Sequence, residues 1–428
     1  MNPPEKDAAS AQNNPTGFCP KPALGLEKTA LPRGLLEELV LKQVFLDGTT
    51  SISRLIAATK LDYTAVEAVF RSMQREQLLN VKGVEGYNYE FSLTAKGLHS
   101  AEAAFRKSQY TGPAPVPLAA YCRAVREQAF QPRVTRTILV EKFFDLVLTE
   151  QNILDLGAAI MTGGPVFLYG PTGSGKTSLA ERLHRIFHDS VCIPYAVEVS
   201  GQILTLYDPN VHHPVDPQPP DLDPRWVICR RPFLMVGGEM TAAMLEPHFD
   251  PGTRIGVAPL QMKANNGILV IDDFGRQHMS ARELLNRWIV PLDRRVDYLS
   301  LGPALKFEIP FELVVVLATN LDPSHLAEEA FLRRIKNKVR VDGATPAVFL
   351  EIWQRECDVH GLGFQPDVAE YACRRCSEDG RALRACFPRD LMDIVRGVAT
   401  FESRPPILTT AEVERALHLY FTHQPPAP

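Results

Sequence analysis

No apolar run in the 428 residues approaches the roughly 18 needed to cross a bilayer, so no membrane segment is expected. The first fifteen residues, MNPPEKDAASAQNNP, lack the basic and apolar regions of a secretory leader. The eight cysteines (19, 122, 192, 229, 357, 373, 376 and 386) are scattered, which excludes a densely stapled scaffold and suits reduced thiols. An excess of positive charge is missing as well: 46 Lys/Arg stand against 50 Asp/Glu, a net of −4. That balance argues against wholesale coating of nucleic acid or anionic membrane. These absences together predict a cytoplasmic protein, and 45% apolar with 22% charged residues is enough for two or three domains with cores.

What is present centres on residues 165–179, PVFLYGPTGSGKTSL. The apolar run Val166–Tyr169 reads as a strand buried on both faces. Gly170-Pro171-Thr172-Gly173-Ser174-Gly175-Lys176-Thr177 then fits G-x-x-x-x-G-K-[ST] at every specified position. Glycines let such a loop adopt positive φ and curl its N–H groups around a polyphosphate. Lys176 brings a charge for the outer phosphates, Thr177 a hydroxyl for Mg²⁺, and the helix of residues 177–187 its positive end. A nucleotide site over residues 170–178 is therefore expected.

In chain order, residues 1–30 read as a disordered tail, being polar and aperiodic. Residues 31–110 show three amphipathic helices, capped at Thr50-Ser51 and after Asp62, then two β-prone pieces and a fourth helix. This order resembles a winged helix-turn-helix. Its charge is thin for a DNA reader, ten Lys/Arg against nine Asp/Glu, with Arg71, Arg75 and Lys82 as the one small patch. Docking of protein is the preferred reading, with DNA contact and a structural role as alternatives. Residues 111–135 are a Pro-rich linker and helix, the stretch 110–117 acting as a semi-rigid spacer. Residues 136–344 form the nucleotide-binding α/β domain, in which Phe144 and Val147 are candidates to wall a base or to pack in the core. Within it, Ser200-Gly201 signals a hairpin, and residues 207–225 an exposed polar loop whose His212 and His213 lack metal spacing. Residues 345–428 form a helical domain with an N-cap at Thr345 and a capping box at residues 409–412. Cys373 and Cys376 with Cys386 and His360 make a zinc set on paper, but both cysteines share one helix face, where packing is the preferred reading.

Residues 267–271, GILVI, end in Asp272-Asp273. A buried parallel strand delivers such carboxylates to the ligand-binding edge of its sheet, beside the phosphate loop. Asp272 then serves the Mg²⁺ shell and Asp273 orients or deprotonates water. The order of these parts resembles an AAA+ ATPase. Under that resemblance Asn320, ending the apolar run before it, is the sensor 1 residue. Arg334, with Arg333 as runner-up, is the arginine finger offered to a neighbouring subunit, and Arg389 in residues 387–391 is sensor 2. Residues 296–310 resemble a pre-sensor 1 hairpin, and PLQMKANNGILVIDD resembles the lead into this strand in magnesium-chelatase, MoxR-type and enhancer-binding activator ATPases. A bacterial group described as ATPases with chaperone activity is similar over residues 136–428.

The resemblance implies ATP and Mg²⁺ as cofactors, a homo-oligomeric ring, a hexamer, and a protein client that the nucleotide cycle remodels. The alternatives are a DNA-associated or transcription-regulating ATPase and a slow nucleotide switch. The switch reading comes from one departure: the family's usual second acid is glutamate, and Asp273 is shorter by one methylene, about 1.5 Å. Such a displacement slows turnover unless the strand end sits closer.

Overall fold

The computed structural model describes residues 17–85, 88–302, 305–326 and 332–421. Contacts divide the chain into two units. Of the described residues, the first holds those of 17–131, 187–270 and 283–315, and the second those of 132–186, 271–282 and 316–421. The division runs inside the segment 136–344 that the sequence suggests as one domain.

In the first unit, helices Arg33–Asp47, Ile52–Thr59 and Tyr63–Arg75 precede the antiparallel strands Leu79–Glu85 and Asn88–Leu93 and the helix Ala95–Lys107. Ser51 caps the second helix by accepting from the Arg54 N–H, and Asp62 caps the third by accepting from Thr64 and Ala65. Such caps satisfy donors that a helix start leaves orphaned. Thr49–Ser51 adds a third strand beside Asn88–Leu93. Leu36, Val44, Leu55, Val69, Phe70 and Phe91 fill the core between helices and sheet.

Three expectations are corrected here. Residues 17–30 are not a tail: Phe18 lies edge-on to Trp226 at 6.2 Å, Pro20 O accepts from Asp223 N, and Gly25 N donates to Asp62 Oδ1. An apolar ring and backbone groups with partners order a stretch that composition alone marks as loose. Residues 110–117 are not a spacer either. Tyr110, Ala114 and Val116 are buried, and Val116–Pro117 pairs in parallel with Ala196–Val199. Alternate prolines favour extension, and here the extended chain is used as a sheet edge. The loop 207–225, finally, is exposed only in part: Val211, His212, Leu222, Asp223 and Arg225 are buried. Arg225 and Asp223 form a buried ion pair at 2.8 Å, and Arg225 also donates to Pro115 O.

Ser200 and Gly201 make the expected two-residue turn, both with positive φ, between Ala196–Val199 and Gln202–Thr205. The run 226–238 is two strands, Trp226–Arg230 and Phe233–Val236, broken at Arg231-Pro232. The buried Arg231 grips Asp189 bidentately, both contacts at 2.6 Å, and lies over the rings of Phe130 and Phe187. The strands Val296–Ser300 and Lys306–Pro310 pair as a hairpin. Phe233–Val236 neighbours Ile268–Ile271.

The second unit is built on the strand Val166–Tyr169, paired in parallel with Val314–Thr319 on one side and Asn337–Arg340 on the other. All of Val166, Phe167 and Leu168 are buried, as the continuous apolar run requires. The phosphate-loop segment leads into the helix Lys176–Arg182 and a 3-10 turn, Leu183–Ile186. This is a mixed α/β fold with a parallel sheet and a phosphate loop. Four helices follow, Pro346–His360, Pro366–Cys376, Phe387–Phe401 and Thr410–Tyr420, around Phe349, Trp353, Phe387 and Leu391. Thr345 and Thr409 cap the first and last of them through Val348 N and Glu412 N. Cys373 and Cys376 pack in this core, and among the described residues no group of three or more His, Cys, Asp and Glu is placed to hold a metal. No helix among them is long and apolar enough to cross a membrane.

His212 yields a test. It is 0% exposed; Nδ1 accepts from Asp208 N and Nε2 faces Lys263 O, both at 2.9 Å. Burial holds the ring neutral and lowers its pKa from 6.5 to about 4. Below pH 6.5 the unfolded chain gains a proton that the folded ring refuses. Stability is therefore intact above that pH and falls as pH drops toward 4, by up to about 3 kcal/mol. Thermal unfolding across this range should show the loss, and His212→Gln, which keeps an acceptor and a donor, should flatten it. An equal decline in both proteins would remove His212 as the cause.

Candidate nucleotide site

The strand Val166–Tyr169 must turn sharply at Gly170, because Asn337–Arg340 runs on beside it and Val341 N donates to Tyr169 O at 2.8 Å. A Cβ on Gly170, whose φ is +147°, would lie 2.1 Å from Val341 O. Only glycine fits. Two further positive-φ glycines, Gly173 and Gly175, carry the loop into the helix Lys176–Arg182.

Lys176 is 8% exposed, and its Nζ donates to Gly170 O at 3.0 Å, Pro171 O at 2.8 Å and Ser174 Oγ at 3.4 Å. Burial lowers its pKa, against the opposing pull of the Asp272 and Asp273 carboxylates. Thr177 Oγ1 donates to Asp272 Oδ2 at 2.9 Å, so the helix start and the end of Ile268–Ile271 meet at these two side chains. The other carboxylate oxygen of Asp272 accepts from Asp273 N at 3.0 Å. Asp273 is exposed and takes the left-handed conformation, φ +49°, which aspartate tolerates better than most residues. Asn320 Nδ2 donates to Thr172 Oγ1 at 3.1 Å, tying the end of Val314–Thr319 to the loop.

These groups border a cleft of about 690 Å³. Of the residues expected to hold the phosphates, Thr172, Gly173, Ser174, Gly175, Lys176, Thr177 and Ser178 line it, with Asp272, Asp273, Asn320 and Arg389. Gly170 and Pro171 do not: Gly170 shapes the loop from behind, and Pro171 borders a separate hollow among the C-terminal helices. Arg333 and Arg334 are not among the lining residues, the first exposed and the second half-buried. At the other end Leu146, Val147, Val348 and Ile352 give apolar walls suited to a base. Phe144 is 72% exposed, near Arg185, and takes no part in them.

Sequence reasoning missed several lining residues. Arg355, in the first C-terminal helix, reaches Phe144 O at 2.7 Å and Leu146 O at 3.2 Å, fastening that helix to the base-side wall. Cys386 N donates to Gly173 O, and Asp390 accepts from Tyr420 at 2.7 Å. Arg276 follows Asp273 by three residues. None of these belongs to a motif; only the proximity of Arg276 to Asp273 in the chain was a usable signal.

The donor set fits a magnesium nucleotide. Thr177 Oγ1 and Asp272 are hard oxygen ligands of the kind Mg²⁺ takes alongside phosphates and water. Lys176 and the positive-φ backbone match a polyphosphate, and the apolar end matches a ring.

Residues 345–419, which contain the four C-terminal helices, match a family described as Domain of unknown function (DUF8689). No curated protein matches the sequence. Among solved structures, NtrX from Brucella abortus in complex with ADP is 14% identical, with TM-score 0.39, over 74% of this chain and 65% of that one. A second NtrX structure from that organism gives 15% and 0.41 over 77% and 68%. The Thermotoga maritima RuvB Holliday junction branch migration motor gives 17% and 0.38 over 70% and 73%. The chain thus spans slightly less than two thirds of the first of these structures.

The contact between Gly173 and the C-terminal helices can be tested. A Cβ there would lie 2.7 Å from Cys386 Sγ and 3.0 Å from Arg384 Cδ, at φ +76°. Gly173→Ala should destabilise the unit by about 1–3 kcal/mol and weaken ADP binding at least about tenfold. Adding Cys386→Ala should recover only the steric share, since the backbone strain persists. Calorimetric titration with ADP reads this, and unchanged affinity in Gly173→Ala would mean that the loop is not the binding element.

Proposed function

We propose that this chain is an AAA+ ATPase that works as a homo-oligomeric ring, a hexamer, in the cytoplasm, and couples its nucleotide cycle to remodelling a protein client. The observation that carries the reading is the 2.9 Å contact of Thr177 with Asp272 beside the buried Lys176, in a cleft that Asn320 and Arg389 also line. Lys176 would exchange three loop oxygens for phosphate oxygens, and Thr177 with Asp272 would hold Mg²⁺. When bound, ATP–Mg²⁺ supplies the phosphoryl group and a Lewis acid. Asp273 would orient or deprotonate the attacking water, and Asn320 and Arg389 would sense the terminal phosphate. Arg334, outside this cleft, suits a finger offered to the next subunit, with Arg333 as runner-up. Eight free thiols suit a reducing compartment.

The proposed domains are a winged helix-turn-helix at 31–110, the AAA+ α/β domain at 136–344 and a helical lid from 345. The helix order and three-stranded sheet of residues 33–107 support the first. Protein docking is favoured there because the basic candidates are engaged: Arg71 with Glu67 and Tyr89, Arg75 with Arg71 O, and Lys82 with Thr49. The left-handed Asp273 favours slow turnover as a second reading, since a carboxylate on a shorter arm, turned by the backbone, has less reach toward a water.

Lys176→Ala should abolish ATP binding, and Asp273→Asn should keep binding while lowering kcat at least about 100-fold. Titration and phosphate release read the two; turnover by Lys176→Ala at the wild-type rate would sink the ATPase reading. Mixing Arg334→Ala with Asp273→Asn subunits should restore activity through sites that combine an intact Asp273 with an intact neighbouring Arg334. No rescue at any ratio counts against the finger assignment. If DNA were the partner, a shift that weakens steeply with salt should appear.

A further inference from the structure

Five cations line the nucleotide cleft: Lys176, Arg182, Arg276, Arg355 and Arg389. Four are tied to protein groups. Lys176 is held by its loop, Arg182 by Asp145, Arg355 by Glu351 and two carbonyls, and Arg389 faces Asp393 at 4.0 Å. Among the described residues Arg276 is the lining cation whose side chain has no hydrogen bond or ion pair, although it is exposed in the same cleft as Asp272 and Asp273.

Its backbone, by contrast, is fixed. Arg276 N donates to Asp273 O at 3.0 Å, closing a four-residue turn that begins at Asp273. The ends of such a turn lie within about 7 Å. Gln277 clamps it from outside: Nε2 donates to Asp272 O at 3.0 Å, and Oε1 accepts from Gly275 N at 2.8 Å. Phe274 roots it from inside. That ring is 0% exposed and edge-on to Phe167 at 5.7 Å, its N–H donates to Ala318 O, and its carbonyl accepts from Thr319 Oγ1. One rigid turn thus presents an acid at its first position and an arginine at its fourth, both to the cleft.

We propose that Arg276 is a catalytic residue acting within its own subunit: its guanidinium meets the terminal phosphate of the nucleotide bound in the same cleft, with Gln277 as the positioning residue of the turn. This rests on the ATPase reading above. Charge develops on the transferring phosphoryl oxygens and the leaving oxygen, and an arginine placed there stabilises it without taking up a proton. Lys176 and the loop N–H groups serve the diphosphate whether or not the last phosphate is present, so Arg276 joins Asn320 and Arg389 among the groups that separate ATP from ADP.

Arg276→Ala and Arg276→Gln are compared with the wild-type full chain for affinity toward ADP and a non-hydrolysable ATP analogue, and for kcat and KM. The expected result is wild-type ADP affinity, which also certifies the fold, about tenfold weaker binding of the analogue and kcat lowered about 100-fold. Arg276→Lys should restore part of the kcat, as a point charge lacking the planar fork. Gln277→Ala should lower kcat and leave ADP affinity alone. Mixing Arg276→Ala with Lys176→Ala subunits should give no rescue, because the only subunits that bind nucleotide lack their own arginine. An unchanged ATP-to-ADP preference, an equal loss for both ligands, or rescue on mixing overturns the proposal. Failure of the wild-type protein to bind any nucleotide is a different outcome and overturns the ATPase reading beneath it.

Discussion

The strand Val166–Tyr169 is held on both edges by parallel neighbours, and the rest of the site follows from that confinement. Its last carbonyl is taken by Val341 N, and the Val341 carbonyl occupies the space that a side chain at 170 would need. The chain can leave only through a residue without Cβ, and it leaves as a loop whose carbonyls first turn back on Lys176. The same confinement sets where Thr177 stands. Because the loop is short, the helix begins where its second residue meets Asp272 at the end of another strand.

Lys176 in this arrangement is a buried ammonium whose charge is met by neutral oxygens and, at longer range, by Asp272 and Asp273. Two carbonyls and a hydroxyl are weaker partners for a cation than phosphate oxygens. The site is therefore electrostatically biased toward an anion while the lysine is kept in place for it. A free lysine would have to lose rotamer entropy on binding; this one has already lost it.

The loop 170–177 and Asp272 were legible because each of these residues has a local steric or electrostatic reason to be where it is. Gly170, Lys176, Thr177 and Asp272 need no knowledge of distant contacts to be singled out. The caps at Ser51, Asp62, Thr345 and Thr409 were legible for the same reason, being local hydrogen bonds. What was hidden depends on partners far away in the chain. Phe18 is ordered by Trp226, Val116 by Val197, and the proline-rich loop by the Arg225 ion pair and by His212, which finds Lys263 O. Composition describes a segment by itself and therefore marks each of these as loose. Arg355 and Cys386 were hidden in the same way, since helices far along the sequence bring them to the cleft.

Asp273 shows how a departure from a motif acquires a physical reason. The residue after Asp272 adopts positive φ because Phe274 has to turn inward against Phe167 while its N–H and carbonyl are both claimed by the strand Val314–Thr319. Aspartate is among the few non-glycine residues that occupy that conformation at low cost, and glutamate is not. The shorter acid is thus what the turn accepts, and the same turn brings Arg276 round to the cleft. Thr319, which holds Phe274, immediately precedes Asn320, which holds Thr172. Asn320 is therefore one peptide away from the contact that roots the turn carrying Asp273 and Arg276. The position of the Asp273 carboxylate is thus set by the backbone of this turn as well as by the length of its side chain.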